Sequence, residues 1–288
     1  KQKIEMKFII TDKRKKDTFI ALFHMLKNLT TSIHLILDAQ KGMYIQGIDS
    51  SQTSLFEVCI LPTWFQEFQC TNISTSPLHL CIDVQTFYLV LSTKMDNVNW
   101  IFTHNENVNE DVMFIEFICT TTQALVRKFK LNLKEEDYDP LLLQEFESEV
   151  DFIISSKKMC EIMNELHTFG EDVCIECSQE KVMFTTSNDS CEVNVHTDEQ
   201  EMVEYAVNEN LELLKVQFGL KRLKQCLSNK LSTNVVLSVN SETPTKIKYN
   251  LDEDAEEKGE KGEKGEKGEG EAVKENYLLF YISPKITI

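Results

Sequence analysis

Three stretches of the chain carry side chains that could do chemistry. Asp49-Ser50-Ser51 sets a carboxylate beside two hydroxyls, the raw material of a serine centre. Cys174-x2-Cys177, followed by Cys191 and His196, has spacing close to that of a zinc finger. The run EEKGEKGEKGEKGEGE repeats glycine beside lysine, as phosphate loops do. Each fails when its requirements are checked. No nucleophile pattern surrounds His24, His34, His79, His104, His167 or His196, and an acid followed by hydroxyls reads as an elbow that hydrogen-bonds its own turn. Cys174 and Cys177 fall on an expected strand, where residues three apart point to opposite faces. Ligands on opposite faces cannot share a tetrahedral ion without a turn between them. The glycine-lysine run lacks the spacing of a phosphate loop, the Ser or Thr after Lys, and the strand-to-helix context. No catalytic residue, metal-ligand set or cofactor is therefore expected, and the chain does not read as an enzyme.

The remaining charged chemistry is basic. Lys13, Arg14, Lys15 and Lys16 open one expected helix, Lys94 ends a second, and Lys157 and Lys158 start a third. Lys221, Arg222 and Lys224 lie on a fourth, with Lys230 just after it. Such clusters suit two uses: ordinary solvated helix faces, or sequence-independent contacts to phosphates.

The elements that carry these residues follow from periodicity. Phe19, Leu22, Phe23, Leu26 and Leu29 recur at helical spacing behind a capping residue, Asp12, and Val84–Lys94 reads as a second helix. Alternating runs at Lys7–Ile10, His34–Asp38, Met43–Gly47, Ser54–Ile60, Leu78–Asp83, Trp100–His104, Met113–Cys119 and Ala124–Leu133 read as strands. The pattern then restarts. Glu149–Ile154 is a strand, Ser155 or Ser156 caps a helix ended by Gly170, and further strands and the helix Leu220–Leu227 follow to Tyr277–Ile282. Strand, helix, three strands, strand, helix, three strands thus occurs twice, around the polar elbow at Ile48–Ser51 and its shorter echo at Phe184–Cys191. The expected division is 1–133, a connecting segment at 134–147 with three leucines in an acidic stretch, and 148–288. Asp252–Glu275 is expected to be a disordered hairpin extension, because it has too little apolar surface to offset ordering entropy.

With 288 residues the chain can bury a sizeable core. Its 47 acidic and 30 basic residues give a net charge of −17; without 252–275 there remain 36 acids and 25 bases, so the body is acidic too. That balance speaks against nucleic acid overall but not locally. No apolar run approaches the ~20 residues of a membrane span, and no signal-peptide pattern is expected at Lys1–Ile10. Nine scattered cysteines fit free thiols in a reducing compartment.

IDSSQTSL, the connector before EFESEVDF, the stretch HTFGEDVCIECSQEKVMFTTSNDS and the terminal YISPKI, in this order and spacing, resemble the proliferating cell nuclear antigen family of eukaryotic sliding clamps over essentially the whole chain. The divergence and the insertion resemble a viral or protist member. The resemblance implies an α+β DNA-clamp fold: two similar domains, each with two helices packed on antiparallel sheets, assembled head to tail as a homotrimeric ring. It implies a processivity factor for DNA replication and repair that encircles double-stranded DNA, is placed by a clamp loader, and works in the nucleus or a viral replication compartment. The basic helix residues named above would face DNA, although Glu161 and Asn164 stand where the family carries bases. Edges at Ala124–Leu133 and Cys191–Glu199 would meet between subunits. DNA polymerase and other partners would bind by short peptides in a pocket of Ile48, Gln52, Leu55, Leu141, Leu142, Pro244, Tyr281, Ser283 and Pro284, where Gln52 and Thr53 depart from the usual residues. A heterotrimeric checkpoint-type subunit and a monomeric viral processivity factor are the alternative readings.

Overall fold

Period decides the elements. Strand β1 (Met6–Ile10) alternates, burying Met6, Phe8 and Ile10. Helix α1 (Lys13–Leu26) buries Phe19, Leu22, Phe23 and Leu26 on one stripe, and the Asp12 carboxylate accepts the Lys15 N–H at 2.9 Å to cap it. The first half continues with β2 (Ser32–Asp38), β3 (Gly42–Ile48), β4 (Ser54–Ile60), β5 (Glu67–Cys70), β6 (Leu78–Asp83), α2 (Val84–Leu91), β7 (Val98–Asn105), β8 (Glu110–Cys119) and β9 (Leu125–Asn132). The second half runs in the same order: β10 (Val150–Ser155), α3 (Ser156–Leu166), β11 (Asp172–Cys177), β12 (Lys181–Ser187), β13 (Glu192–Asp198), β14 (Glu204–Val207), β15 (Leu214–Gly219), α4 (Leu220–Gln225), β16 (Asn234–Val239), β17 (Thr245–Asn250) and β18 (Tyr277–Ile282). This computed structural model describes residues 6–71, 77–93, 95–105, 110–142, 146–252 and 275–285.

The fold is α+β, with antiparallel sheets and few helices. A nine-stranded sheet, β14-β10-β16-β17-β18-β4-β3-β2-β6, runs through both halves, and the join is the six-residue ladder of β18 with β4. A five-stranded sheet (β5-β1-β7-β8-β9) and a four-stranded sheet (β13-β12-β11-β15) complete the halves. One face of the nine-stranded sheet buries Phe56, Val58, Ile247, Tyr249, Leu278 and Phe280 completely. The helices pack on this side; the Tyr249 hydroxyl donates to the Cys226 carbonyl at the end of α4 (3.2 Å). No helix among the described residues is long and apolar enough to cross a membrane.

The structure departs from the sequence reading in small ways. β5 and β14 were not expected; each is a four-residue strand that follows a 3₁₀ turn, too short for alternation to show. Neither Ser155 nor Ser156 caps α3 through its side chain. Gly170 does not end α3 in a left-handed turn: it is needed because a Cβ there would stand 2.1 Å from Thr186 Oγ1. The insertion does join neighbouring antiparallel strands, β17 and β18, but residues 253–274, and with them the disorder expectation, lie outside the described residues.

The elbow is the tightest local structure. Asp49 is buried, and its carboxylate accepts from the backbone of Ser51 (3.2 Å), Thr53 (2.8 Å) and Ser54 (2.6 Å) and from the Ser51 hydroxyl. The echo uses Asn188 in the same way, accepting from Ser190 N (2.7 Å) and Cys191 N (2.9 Å). Both elbows also tie back to the end of the preceding helix, through Ser50 N to Leu29 O (2.8 Å) and Asn188 Nδ2 to Phe169 O (2.8 Å). Burial raises the Asp49 carboxyl, but the hydrogen bonds from Ser51, Ser54 and Thr53 outweigh it and hold the group below its ordinary value of 3.8. A lowered value means that the stabilisation is complete at neutral pH and fades as the pH falls below 3.8. Asp49→Ala should therefore cost about 1–3 kcal/mol in urea unfolding at pH 7, with the gap to the parent narrowing in acid. An unchanged unfolding midpoint at pH 7 would show that the elbow is held by something else.

Candidate nucleic-acid interface and peptide cleft

The basic helix residues do not all stay available. Lys13 and Arg14 are exposed on the first turn of α1. Lys15 Nζ donates to the Trp64 carbonyl (2.7 Å) and sits 5.5 Å over the Trp64 ring. Lys16 Nζ donates to the carbonyls of Thr11 (2.8 Å) and Val98 (2.6 Å), and burial lowers its pKa. On α3, Lys158 pairs with Glu201 (3.0 Å) and Lys157 lies 3.9 Å from Glu161, one turn on. On α4, Lys224 contacts His167 Nδ1 at 3.2 Å, Lys221 is exposed and Arg222 is half-buried. Lys230 is exposed and close enough to His24 of α1 to lower its pKa, after the larger effect of burial and that of Lys27. Lys94 lies outside the described residues. The two halves thus present Lys13, Arg14, Lys221 and Lys230, exposed and without a side-chain partner among the described residues, from the helical side, with Arg14 lining a cleft shared with residues 229–233.

The opposite face of the nine-stranded sheet carries the connector. Ile48, Leu55 and Tyr281 stand in one cross-strand row, because Ile48 pairs with Leu55 and Leu55 with Tyr281. Thr245 pairs with Ile282, which sets Pro244 beside Ser283 at the end of the same ladder, with Pro284 following. Gln52 occupies the elbow with φ +56°. Sequence reasoning missed the residue that seats the connector. Gln46 is buried, and its amide donates to the Leu141 carbonyl (3.0 Å) and accepts the Leu141 N–H (2.9 Å), with Tyr138 O–H at 3.4 Å. No local pattern marks a glutamine whose partner is 95 residues away. Leu142, next to this clamp, is 97% exposed. Farther along, Lys246 Nζ bonds the Phe146 carbonyl (3.1 Å) and covers its ring at 4.3 Å, while that ring meets Tyr281 edge-on at 6.3 Å. An apolar row with an exposed leucine beside it can receive an apolar side chain of a peptide.

Strand edges complete the picture. β5 and β14 are four residues long; Lys285 N bonds Gln217 O (2.7 Å) on β15, and Lys134 N bonds Cys81 O (2.9 Å) on β6. The two remaining sheet ends are β9 and β13, of eight and seven residues. β9 carries Arg127, Lys128 and Lys130 with no acid and exposes Leu125 (54%) and Val126 (44%). β13 carries Glu192 and Asp198 with no Lys or Arg, and half-buries Val193 and Val195. The cysteine pattern of the second half is not brought together: Cys177 is fully buried in the core while Cys174 faces the other side of β11.

Comparison with known proteins adds the following. Residues 143–258 match the family model for the proliferating cell nuclear antigen C-terminal domain. Proliferating cell nuclear antigen 1 of Plasmodium falciparum is 24% identical over 285 residues, covering 92% of each chain. Proliferating cell nuclear antigen 2 of the same organism is 22% identical over 238 residues, covering 81% of this chain and 87% of its own. The crystal structure of proliferating cellular nuclear antigen from Entamoeba histolytica superposes with a TM-score of 0.77 at 21% identity, covering 99% of this chain and all of that one.

Gln46→Ala should loosen the connector without unfolding the sheet. Losing a two-bond clamp worth about 1–2 kcal/mol should speed hydrogen exchange at the Leu141 amide roughly 5–30-fold. Exchange at the parent rate would show that Gln46 does not hold the connector.

Proposed function

We propose that this chain, a member of the proliferating cell nuclear antigen family of sliding clamps, closes as three copies into a ring around duplex DNA. The observation that carries this reading is the pair of long edges of opposite charge, unpaired among the described residues. An exposed strand edge is normally shortened, covered or paired, and here the covered and short edges leave β9 and β13. Because the two edges differ, their pairing is head to tail, and a head-to-tail contact makes a ring when its rotation closes. A chain that worked alone would have no use for both.

The ring would hold DNA by enclosure, so that weak phosphate contacts suffice and sliding stays fast. Lys13, Arg14, Lys221 and Lys230 would supply those contacts. Lys15, Lys16, Lys158 and Lys224, tied to other groups of the protein, would contribute less. The cleft of Ile48, Leu55, Leu141, Leu142, Pro244, Tyr281, Ser283 and Pro284, rimmed by Gln52, would capture peptide segments of a DNA polymerase and other replication and repair proteins. A closed ring meets DNA without ends only if something opens it, hence a clamp loader. The role requires no catalysis, and its place is with replicating DNA in the nucleus or a viral replication compartment.

Retention on tethered DNA tests the proposal. The chain is threaded onto a bead-bound duplex by its free end, which is then blocked. It should survive a high-salt wash and leave when the block is cut away. Lys13→Glu with Arg14→Glu should keep that topological hold while flattening the salt dependence of residual binding by up to about 0.9 per lost contact. Loss of the chain at high salt with the end still blocked would contradict enclosure.

A further inference from the structure

The outer face of the nine-stranded sheet holds a group of side chains that no reading above uses. β2 and β6 pair so that His34 lies directly opposite Cys81. The connector crosses above them, and Glu136 descends onto the pair; a ring nitrogen of His34, the Cys81 sulfur and a Glu136 oxygen all lie within 4.8 Å of one another. The Cys81 side chain is buried, His34 half-buried and Glu136 exposed, so the group is closed on the sheet side and open to solvent on the other. Lys134 N bonds the Cys81 carbonyl (2.9 Å) and Glu136 accepts from the Ser32 hydroxyl (2.6 Å), which together hold the connector over the pair. Tyr138 packs against both His34 (5.3 Å between ring centres) and His79 (5.2 Å), shielding the flank.

We propose that His34, Cys81 and Glu136 bind one divalent ion of the zinc class, which fastens the connector to the sheet. The donor set is the reason for that class: imidazole nitrogen, thiolate sulfur and carboxylate oxygen are the three protein ligands of zinc. Metal–ligand distances of ~2.0–2.3 Å put tetrahedral ligands about 3.3–3.8 Å apart. From separations of up to 4.8 Å the ligand atoms must therefore close by about 1–1.5 Å at most, within reach of side-chain rotation, above all at the exposed, three-torsion Glu136. The Cys81 thiol lies beside the Glu136 carboxylate and the His34 ring; on binding, the thiol proton leaves to solvent, the sulfur, the imidazole nitrogen and the carboxylate bind the ion, and water takes the fourth position. The ion would turn a juxtaposition of side chains into coordination at the start of the segment that leads to Leu141 and Leu142. The site does not depend on ring formation or DNA binding.

Cobalt(II) added to the full-length, metal-free chain tests the site. One ion per chain should bind, with a thiolate-to-cobalt charge-transfer absorption and slower hydrogen exchange over residues 134–142. Cys81→Ser should abolish that absorption, and His34→Ala and Glu136→Gln should each weaken binding at least about tenfold, since even outer-shell partners of a metal are worth ~10–100-fold. Cys191→Ser, which removes the exposed cysteine, should change neither. If Cys81→Ser does not fold, the half-exposed position of His34→Ala keeps the test. The proposal is overturned if the parent shows no charge-transfer absorption, if the absorption persists in folded Cys81→Ser, or if His34→Ala binds cobalt like the parent.

Discussion

The ladder between β4 and β18 is the constraint on which the rest depends. Six residue pairs, from Ser54 with Ile282 to Cys59 with Tyr277, join a strand near the start of the chain to its last strand. Sheet register has no half-steps, because a slip of one residue would turn Phe56 or Phe280, whichever strand moved, out of the core and its neighbour Leu55 or Tyr281 into it. That ladder makes two repeated halves into one continuous sheet. It also fixes which faces they share: helices and free bases on one side, the connector and the Ile48–Leu55–Tyr281 row on the other. The five-stranded and four-stranded sheets follow, and with them the positions of the unpaired edges β9 and β13.

Among the described residues, the connector is held largely by side chains. Gln46 clamps the backbone of Leu141, Ser32 and Lys134 meet Glu136, and Lys246 covers Phe146. Such fastening is local and separable. A few kcal/mol spread over several contacts can be loosened at one point without unfolding the sheet beneath. A cleft bordered by this segment gains shape from the contacts, and separable fastening would suit the proposed capture of different peptides.

Much of this was legible in the sequence, for physical reasons. Alternation with period two and recurrence at three and four residues are direct consequences of which faces are buried, so the long strands and α1 could be read off. The repeat was visible because both halves use the same order. Asp49 followed by hydroxyls announced a self-bonded elbow, and the structure shows one. What could not be read depends on partners distant in the chain. β5 and β14 are strands by virtue of pairing with β1 and β10, not by any pattern of their own. Gln46 and the His34–Cys81–Glu136 group acquire meaning from register and from where the connector crosses. Local sequence also misleads about charge: Lys15 and Lys16 look as free as Lys13 and Arg14, yet backbone carbonyls of Trp64, Thr11 and Val98 take them. The cysteine spacing of the second half made the converse error attractive, since linear spacing matters for a metal only where a turn brings the ligands to one side.

Ring closure by β9 against β13 is the central claim, and the solution mass of the purified chain measured by light scattering across a range of concentrations tests it most directly. Closed rings would give a mass near three times 33.3 kDa that holds on dilution until the edges separate, and reversing Arg127, Lys128 and Lys130 to glutamate should drive that mass toward one chain. A parent chain that stays at 33.3 kDa at every concentration would contradict the account.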